Sequence, residues 1–237
     1  MKLSEEMKNK TLLSFELFPP KTEKGLQNLP GTIDHLMKYN PSYISCTYGA
    51  GGGNVGANRE VCQMIKNAGT TPVTHFTVIK NTKEGIKEQL DQYLADGVDH
   101  MLALRGDIPL GETTTCGDFD YATDLVKFVR DTYGDKFEIA VAGSPEGHIS
   151  CRSLESDIAV LKQKQDNGAD YIMTQLCWDM EQFKYWLDAI RKAGITMPVD
   201  VGVMPILDQA ATINMALSRN GCVMDSELCR MISRHWL

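Results

Sequence analysis

The sequence predicts a parallel α/β fold of the TIM-type (β/α)8 barrel class, and three observations lead there. Short apolar runs alternate with longer helical patterns along the chain. Several of the helical patterns stop at a glycine just before the next apolar run. Polar residues able to do chemistry recur at the same end of successive runs.

The first apolar run is Thr11–Phe18, followed by a helical pattern over Gly25–Met37. Ser42–Thr47 precedes a helix at Ala57–Ala68, and Pro72–Ile79 precedes one at Thr82–Ala95. Asp99–Leu104 leads to the helix Tyr121–Tyr133, and Phe137–Ala142 to Leu154–Asn167. Asp170–Thr174 leads to Met180–Ala193, and Met197–Val203 to Gln209–Ser218. A last helix-like stretch covers Ser226–Trp236. Gly69, Gly97, Gly134, Gly168 and Gly194 are the predicted helix stops. Units of this kind in series imply parallel strands with right-handed crossovers. Alternation alone fits an open doubly wound sheet as well as a closed barrel.

The polar residues favour the barrel. Glu16 ends the first run, Thr47 and Tyr48 the second, and His75 lies in the third. Arg105 and Asp107 follow the fourth, Ser144, Glu146 and His148 the fifth, and Gln175 the sixth. A barrel gathers its C-terminal strand ends around one cavity, whereas an open sheet spreads them along a line. Some of these residues would mark strand boundaries in any fold. Glu16 is harder to explain that way, because it sits inside Ser14–Phe15–Glu16–Leu17–Phe18, where an unpaired carboxylate is costly.

Composition narrows the function classes. A length of 237 residues suits a single β/α domain over 1–237. The formal net charge of −7 argues against a nucleic-acid surface. No apolar run approaches the roughly 20 residues of a membrane span. Met1–Lys10 is polar and of mixed charge, unlike a secretory signal, so a cytoplasmic protein is expected. The seven cysteines, Cys46, Cys62, Cys116, Cys151, Cys177, Cys222 and Cys229, are dispersed and read as reduced thiols. None has zinc spacing, and no metal is expected. Gly51–Gly56 matches the dinucleotide fingerprint G-x-G-x-x-G. The acid expected about 20 residues later is absent from Phe76–Lys80, so a loop over the barrel mouth is the better reading.

Five segments in order, FELFPPK (Phe15–Lys21), TYGA (Thr47–Ala50), LRGD (Leu104–Asp107), PEGH (Pro145–His148) and TQ (Thr174–Gln175), resemble the methylenetetrahydrofolate reductase family. The resemblance runs from about Leu12 to about Pro205. It implies a (β/α)8 barrel with FAD at its C-terminal mouth and a place in one-carbon metabolism and methionine biosynthesis. Hydride would pass from NADH or NADPH through FAD to 5,10-methylenetetrahydrofolate, giving 5-methyltetrahydrofolate. Carried over residue by residue, Glu16 and Asp107 are catalytic, Glu16 as general acid. Thr47, Tyr48, Ala50, His75, Arg105, Gly106, Asp107, Ala122, His148, Asp157 and Lys164 line the FAD site. Asp107 and Gln175 reach the folate. The chemistry is coherent, because opening the folate's five-membered ring needs a proton on the departing nitrogen. An acid useful near neutral pH needs a raised pKa, which apolar surroundings supply.

The residues themselves leave alternatives open. His75 could be a core histidine, Lys164 and Asp157 solvated helix residues, and Gln175 a structural strand end. The sequence also departs from the family pattern. Ser144 stands where an aromatic is common, and Gln209 and Ala211 where a polar folate contact often lies. Relatives continue beyond Ser226–Trp236 with an eighth strand and helix, so the barrel is expected to lack that unit. A flavin-free folate methyltransferase barrel and a non-catalytic remnant are the competing functions. A reduced folate is the implied small-molecule partner, with a homo-oligomer or a redox partner subunit left open.

Overall fold

The apolar runs become strands and the periodic segments helices, in the predicted order. The computed structural model describes residues 2–48, 55–108, 111–217 and 222–235. Ala50, the glycine run Gly51–Gly53 with Asn54, and Trp236 lie outside the described residues. The strands are β1 (Ser14–Leu17), β2 (Tyr43–Cys46), β3 (Thr71–Thr77), β4 (His100–Leu104), β5 (Glu138–Gly143), β6 (Tyr171–Thr174) and β7 (Val199–Asp200). The α-helices are α1 (Leu3–Met7), α2 (Glu23–Met37), α3 (Val55–Asn67), α4 (Lys83–Ala95), α5 (Ala122–Tyr133), α6 (Leu154–Asp166), α7 (Met180–Lys192), α8 (Gln209–Leu217) and α9 (Ser226–His235). Strand order in the seven-stranded sheet is chain order, β1 to β7. The predicted helix stops Gly69, Gly97, Gly134, Gly168 and Gly194 all have positive φ, the conformation that ends a helix most cheaply at glycine.

Two compact units divide the chain. The first is Met1–Val141 with Asn167–Asp170, and the second is Ala142–Asp166 with Tyr171–Leu237. In the first unit β1 through β5 pair in parallel, with Glu16 opposite Ser45, Ser45 opposite Val73, and His75 opposite Leu102. Partners in register share a face, and side chains alternate along each strand. Glu16, Ser45, Val73, His75 and Thr77 therefore lie on one face, and Cys46, Thr74 and Phe76 on the other. Helices cover the second face. Phe76 packs edge-on against Tyr93 of α4, with ring centroids 6.3 Å apart. Asn58 of α3 accepts a hydrogen bond from Thr74 Oγ1 at 2.8 Å. In the second unit β6 pairs with β7 in parallel, Ile172 opposite Val199. Fully buried Trp186 of α7 packs beside Phe183, with ring centroids 5.9 Å apart.

Sequence and structure differ at the edges. Met1–Lys10, read as a polar start, contains the short helix α1. Its Leu3 and Ser4 amides each donate to a Glu138 carboxylate oxygen at 2.7 Å. A five-residue helix shows no periodicity, and its anchor lies far along the chain. The seventh strand, expected over Met197–Val203, keeps ladder pairing only at Val199–Asp200. Beyond it the Gly202 amide donates to Thr174 Oγ1 instead. The first strand likewise shortens from Thr11–Phe18 to Ser14–Leu17.

Candidate active site

Within the first unit, the face opposite α3 and α4 carries an acid and a histidine together. Glu16 Oε2 lies 3.7 Å from His75 Nε2. The Glu16 side chain is 45% accessible, yet surrounded closely enough that desolvation raises its carboxyl pKa above the ordinary value. His75 is buried, and burial pulls its pKa down to about 4. The imidazole is therefore neutral near pH 7, and the pair is not a salt bridge there. No cation on His75 opposes the upward shift of Glu16, so the Glu16 pKa stays raised by desolvation.

Two buried polar atoms on this strand end are orphans. His75 Nε2 and Thr77 Oγ1 have no hydrogen-bond partner among the described residues. Buried polar groups are normally satisfied, so such atoms call for a partner beyond the described residues. Next to them runs the turn after β4. Gly106 has φ +85°, and a Cβ there would come 3.0 Å from Ile79 Cγ2 and 3.1 Å from Thr77 Cβ. The turn thus needs glycine both for its backbone and for its approach to β3. Asp107 is exposed and makes no hydrogen bond or ion pair with a described residue. Arg105, half-buried, lines a cavity of about 230 Å³ with Thr113, Thr115, Asp120 and Tyr121. Ala122 opens α5 directly after Tyr121.

Thr47 and Tyr48 part company. Alternation turns Thr47 toward the Glu16 face, while the ring of Tyr48 lies on the helix side, 5.5 Å from the Phe76 centroid. The Tyr48 hydroxyl donates to Gln89 of α4, and burial pushes its pKa up to about 12. A ligand on the Glu16 face meets Thr47 rather than the Tyr48 ring. Asn58, which the sequence did not single out, anchors this strand end. Its amide donates to the carbonyls of Cys46 at 2.9 Å and Thr47 at 3.0 Å.

The second unit holds the remaining candidates. Lys164 Nζ donates to the Ala142 carbonyl at 3.0 Å and has no other acceptor among the described residues. Burial lowers its pKa, and nearby Asp157 works against that shift. An ammonium has three donors, so this one is short of acceptors and suited to an anion. Asp157 accepts from the His148 amide at 3.2 Å and from Cys151 Sγ at 3.6 Å. That carboxylate fastens the loop between β5 and α6. His148 turns Nδ1 to the Ser150 amide at 3.1 Å. Gln175 donates its backbone amide to the Gly143 carbonyl at 2.8 Å, and its side-chain oxygen accepts from the Leu176 amide at 2.9 Å. Lys164 and Gln175 thus grip adjacent carbonyls at the end of β5. Ser144 makes a tight turn there, its carbonyl accepting from the Gly147 amide at 2.9 Å. Among the described residues no group of three or more His, Cys, Asp or Glu is placed to hold a metal. Among them, too, no helix is long and apolar enough to cross a membrane.

Comparison with known proteins adds a second line of observation. The profile of the family described as methylenetetrahydrofolate reductase matches residues 2–229. The Arabidopsis thaliana protein named methylenetetrahydrofolate reductase (NADH) 1 is 38% identical over 219 residues, covering 87% of this chain and 37% of the relative. The chain thus spans little more than a third of that relative's length. The 5,10-methylenetetrahydrofolate reductase of Escherichia coli is 34% identical over 202 residues, covering 85% of this chain and 67% of the relative. Among solved structures, a Clostridium thermocellum protein described as binding two copies of 5-methyl-5,6,7,8-tetrahydrofolic acid superposes with a TM-score of 0.69 at 14% identity. That match covers 98% of this chain and 79% of the other. A 2,3-dimethylmalate lyase superposes with a TM-score of 0.56 at 13% identity, covering 98% and 91%. At such identities these likenesses speak for the fold alone.

Proposed function

The chain belongs to the methylenetetrahydrofolate reductase family, and from that premise we propose that it reduces 5,10-methylenetetrahydrofolate to 5-methyltetrahydrofolate, using FAD and a reduced nicotinamide. The observation that carries the reading is Glu16, an acid with a raised pKa beside a neutral histidine. The same reading takes the parallel strands as those of a (β/α)8-type barrel forming one catalytic domain, and the protein as cytoplasmic.

The residues fit a flavin nucleotide on two counts. The orphaned His75 Nε2 and Thr77 Oγ1 lack partners that a polar heterocycle has. Lys164 has a single acceptor among the described residues, which leaves donors for a diphosphate. FAD, when bound, supplies the two-electron hydride carrier. In the first unit, Thr47, the backbone of Tyr48, His75, Arg105, Gly106, Asp107 and Ala122 contact it, and the family resemblance adds Ala50, outside the described residues. In the second, His148, Asp157 and Lys164 do so. Arg105 brings a planar fork suited to phosphate oxygens. Glu16 delivers the proton to the folate nitrogen that departs when the ring opens. Asp107, exposed and without a partner among the described residues, accepts hydrogen bonds from the amino-pyrimidine edge of the pterin, and Gln175 contributes a further contact. NADH and NADPH both fit this scheme, as does delivery of electrons by a partner subunit.

The test is a visible spectrum of the purified protein, followed by anaerobic mixing in separate half-reactions. The expected result is bound flavin that NADH or NADPH bleaches and methylenetetrahydrofolate re-oxidises. A colourless protein that takes up no FAD would overturn the proposal and favour a flavin-free folate barrel.

A further inference from the structure

We propose that Thr77 is a cofactor-contacting residue, its hydroxyl forming a hydrogen bond with the bound flavin; this rests on the flavin reading above. The argument starts from alternation. His75 and Thr77 are two apart on β3 and so share a face, the one that carries Glu16. Phe76 between them turns to Tyr48 and Tyr93. Both His75 and Thr77 are only 6% exposed, and each has a side-chain polar atom without a partner among the described residues.

A threonine on a strand normally satisfies its hydroxyl with a backbone carbonyl or a neighbouring side chain. Thr74 does so on the opposite face, donating to Asn58 Oδ1 at 2.8 Å. Among the described residues Thr77 has no such arrangement. The turn beside it packs close, a Cβ on Gly106 falling 3.1 Å from Thr77 Cβ, and Gly106 brings no side chain that could serve the hydroxyl. The Thr77 carbonyl is already used, accepting from Asn81 Nδ2 at 3.0 Å, so the backbone here is fixed and the hydroxyl is what remains. A hydroxyl both donates and accepts, which suits the edge of a flavin ring, where carbonyl oxygens and an N–H alternate.

The role predicts opposite signs in two measurements, which a merely structural threonine would not give. Thr77→Val keeps shape and removes the hydroxyl. Without cofactor it relieves an unsatisfied buried group, so the apoprotein should melt at the same temperature or about 2–4 °C higher. FAD, titrated by quenching of its fluorescence, should bind roughly tenfold more weakly. Thr77→Ser keeps the hydroxyl and should retain most of the affinity. Unchanged FAD affinity in Thr77→Val, or an apoprotein melting well below the native one, would overturn the proposal. Equal losses in Thr77→Ser and Thr77→Val would assign the effect to packing and also overturn it. A native chain that binds no FAD would overturn the flavin reading first, and this assignment with it.

Discussion

Glu16 and His75 show how much one side chain's environment decides. The acid was legible in the sequence because a carboxylate inside an apolar strand is anomalous. Its neutral neighbour was not, because the 3.7 Å approach joins strands far apart in the chain. If Glu16 is the proton donor, Glu16→Gln should keep nicotinamide oxidation and lower folate reduction by about 10²–10⁴-fold. Stopped-flow traces of the two half-reactions decide it, and equal damage to both would remove Glu16 from the acid role. The raised pKa also sets a sign: the protonated donor persists to higher pH than an ordinary carboxyl, and the folate half-reaction should fade as pH climbs through that value. Asp107 makes a different prediction. A negative charge beside the flavin disfavours its anionic reduced form, so Asp107→Asn should raise the reduction potential and weaken folate binding. A potentiometric titration showing the same or a lower potential would place Asp107 away from the ring. Thr77 was within reach of the sequence, two residues beyond His75 in one strand, but a threonine in a β-branched run carries no mark of its own.

At the scale of elements, strands and helices were legible wherever a periodic run ended in a glycine, and illegible where an element leans on a distant partner. α1 rests on Glu138, and β7 loses its ladder after Asp200. The link between α3 and β2 belongs to the same class. Asn58 sits fully buried one turn into α3, donating to the carbonyls of Cys46 and Thr47 and accepting from Thr74 Oγ1 and, at 2.7 Å, from the Tyr93 hydroxyl. An asparagine in a helix gives no hint of four such bonds. Asn58→Asp would set an acceptor against those carbonyls while keeping the size of the side chain. It should cost about 2–4 kcal/mol of stability and weaken FAD binding, because Thr47 is then no longer held. Thermal melting and FAD titration check this, and an unchanged melting temperature would mean that the end of β2 does not depend on Asn58.

For the whole molecule, the order and direction of the strands were legible in the sequence, and the candidate site residues were all read at one end of them. The opposite end was not legible, because its residues look like ordinary strand starts. There His100, at the start of β4, lies with Nε2 2.9 Å from Glu138 Oε2 and Nδ1 2.6 Å from Asp99 Oδ1. Burial works against the imidazolium, but Asp99 and Glu138 outweigh it and bring the His100 pKa up to about 9. Burial likewise favours a neutral Glu138, yet His100, Ser4 and the α1 amides bring its pKa down to about 2. The signs follow from linkage. The His100 contribution is complete below its ordinary pKa of 6.5 and is lost as pH rises through about 9. The Glu138 contribution is complete above 4.5 and is lost as pH falls through about 2. Both shifts contain the same ion pair, so they are not summed; together they amount to about 2–4 kcal/mol. Stability should therefore be greatest between about pH 4.5 and 6.5 as far as this cluster is concerned. His100→Gln should melt lower than the native chain at pH 6 and close the gap by pH 10, as the native histidine gives up its proton. Melting curves across that range decide the matter. A gap that stays constant with pH would mean that His100 contributes by packing and hydrogen bonding alone, with no charge on its ring.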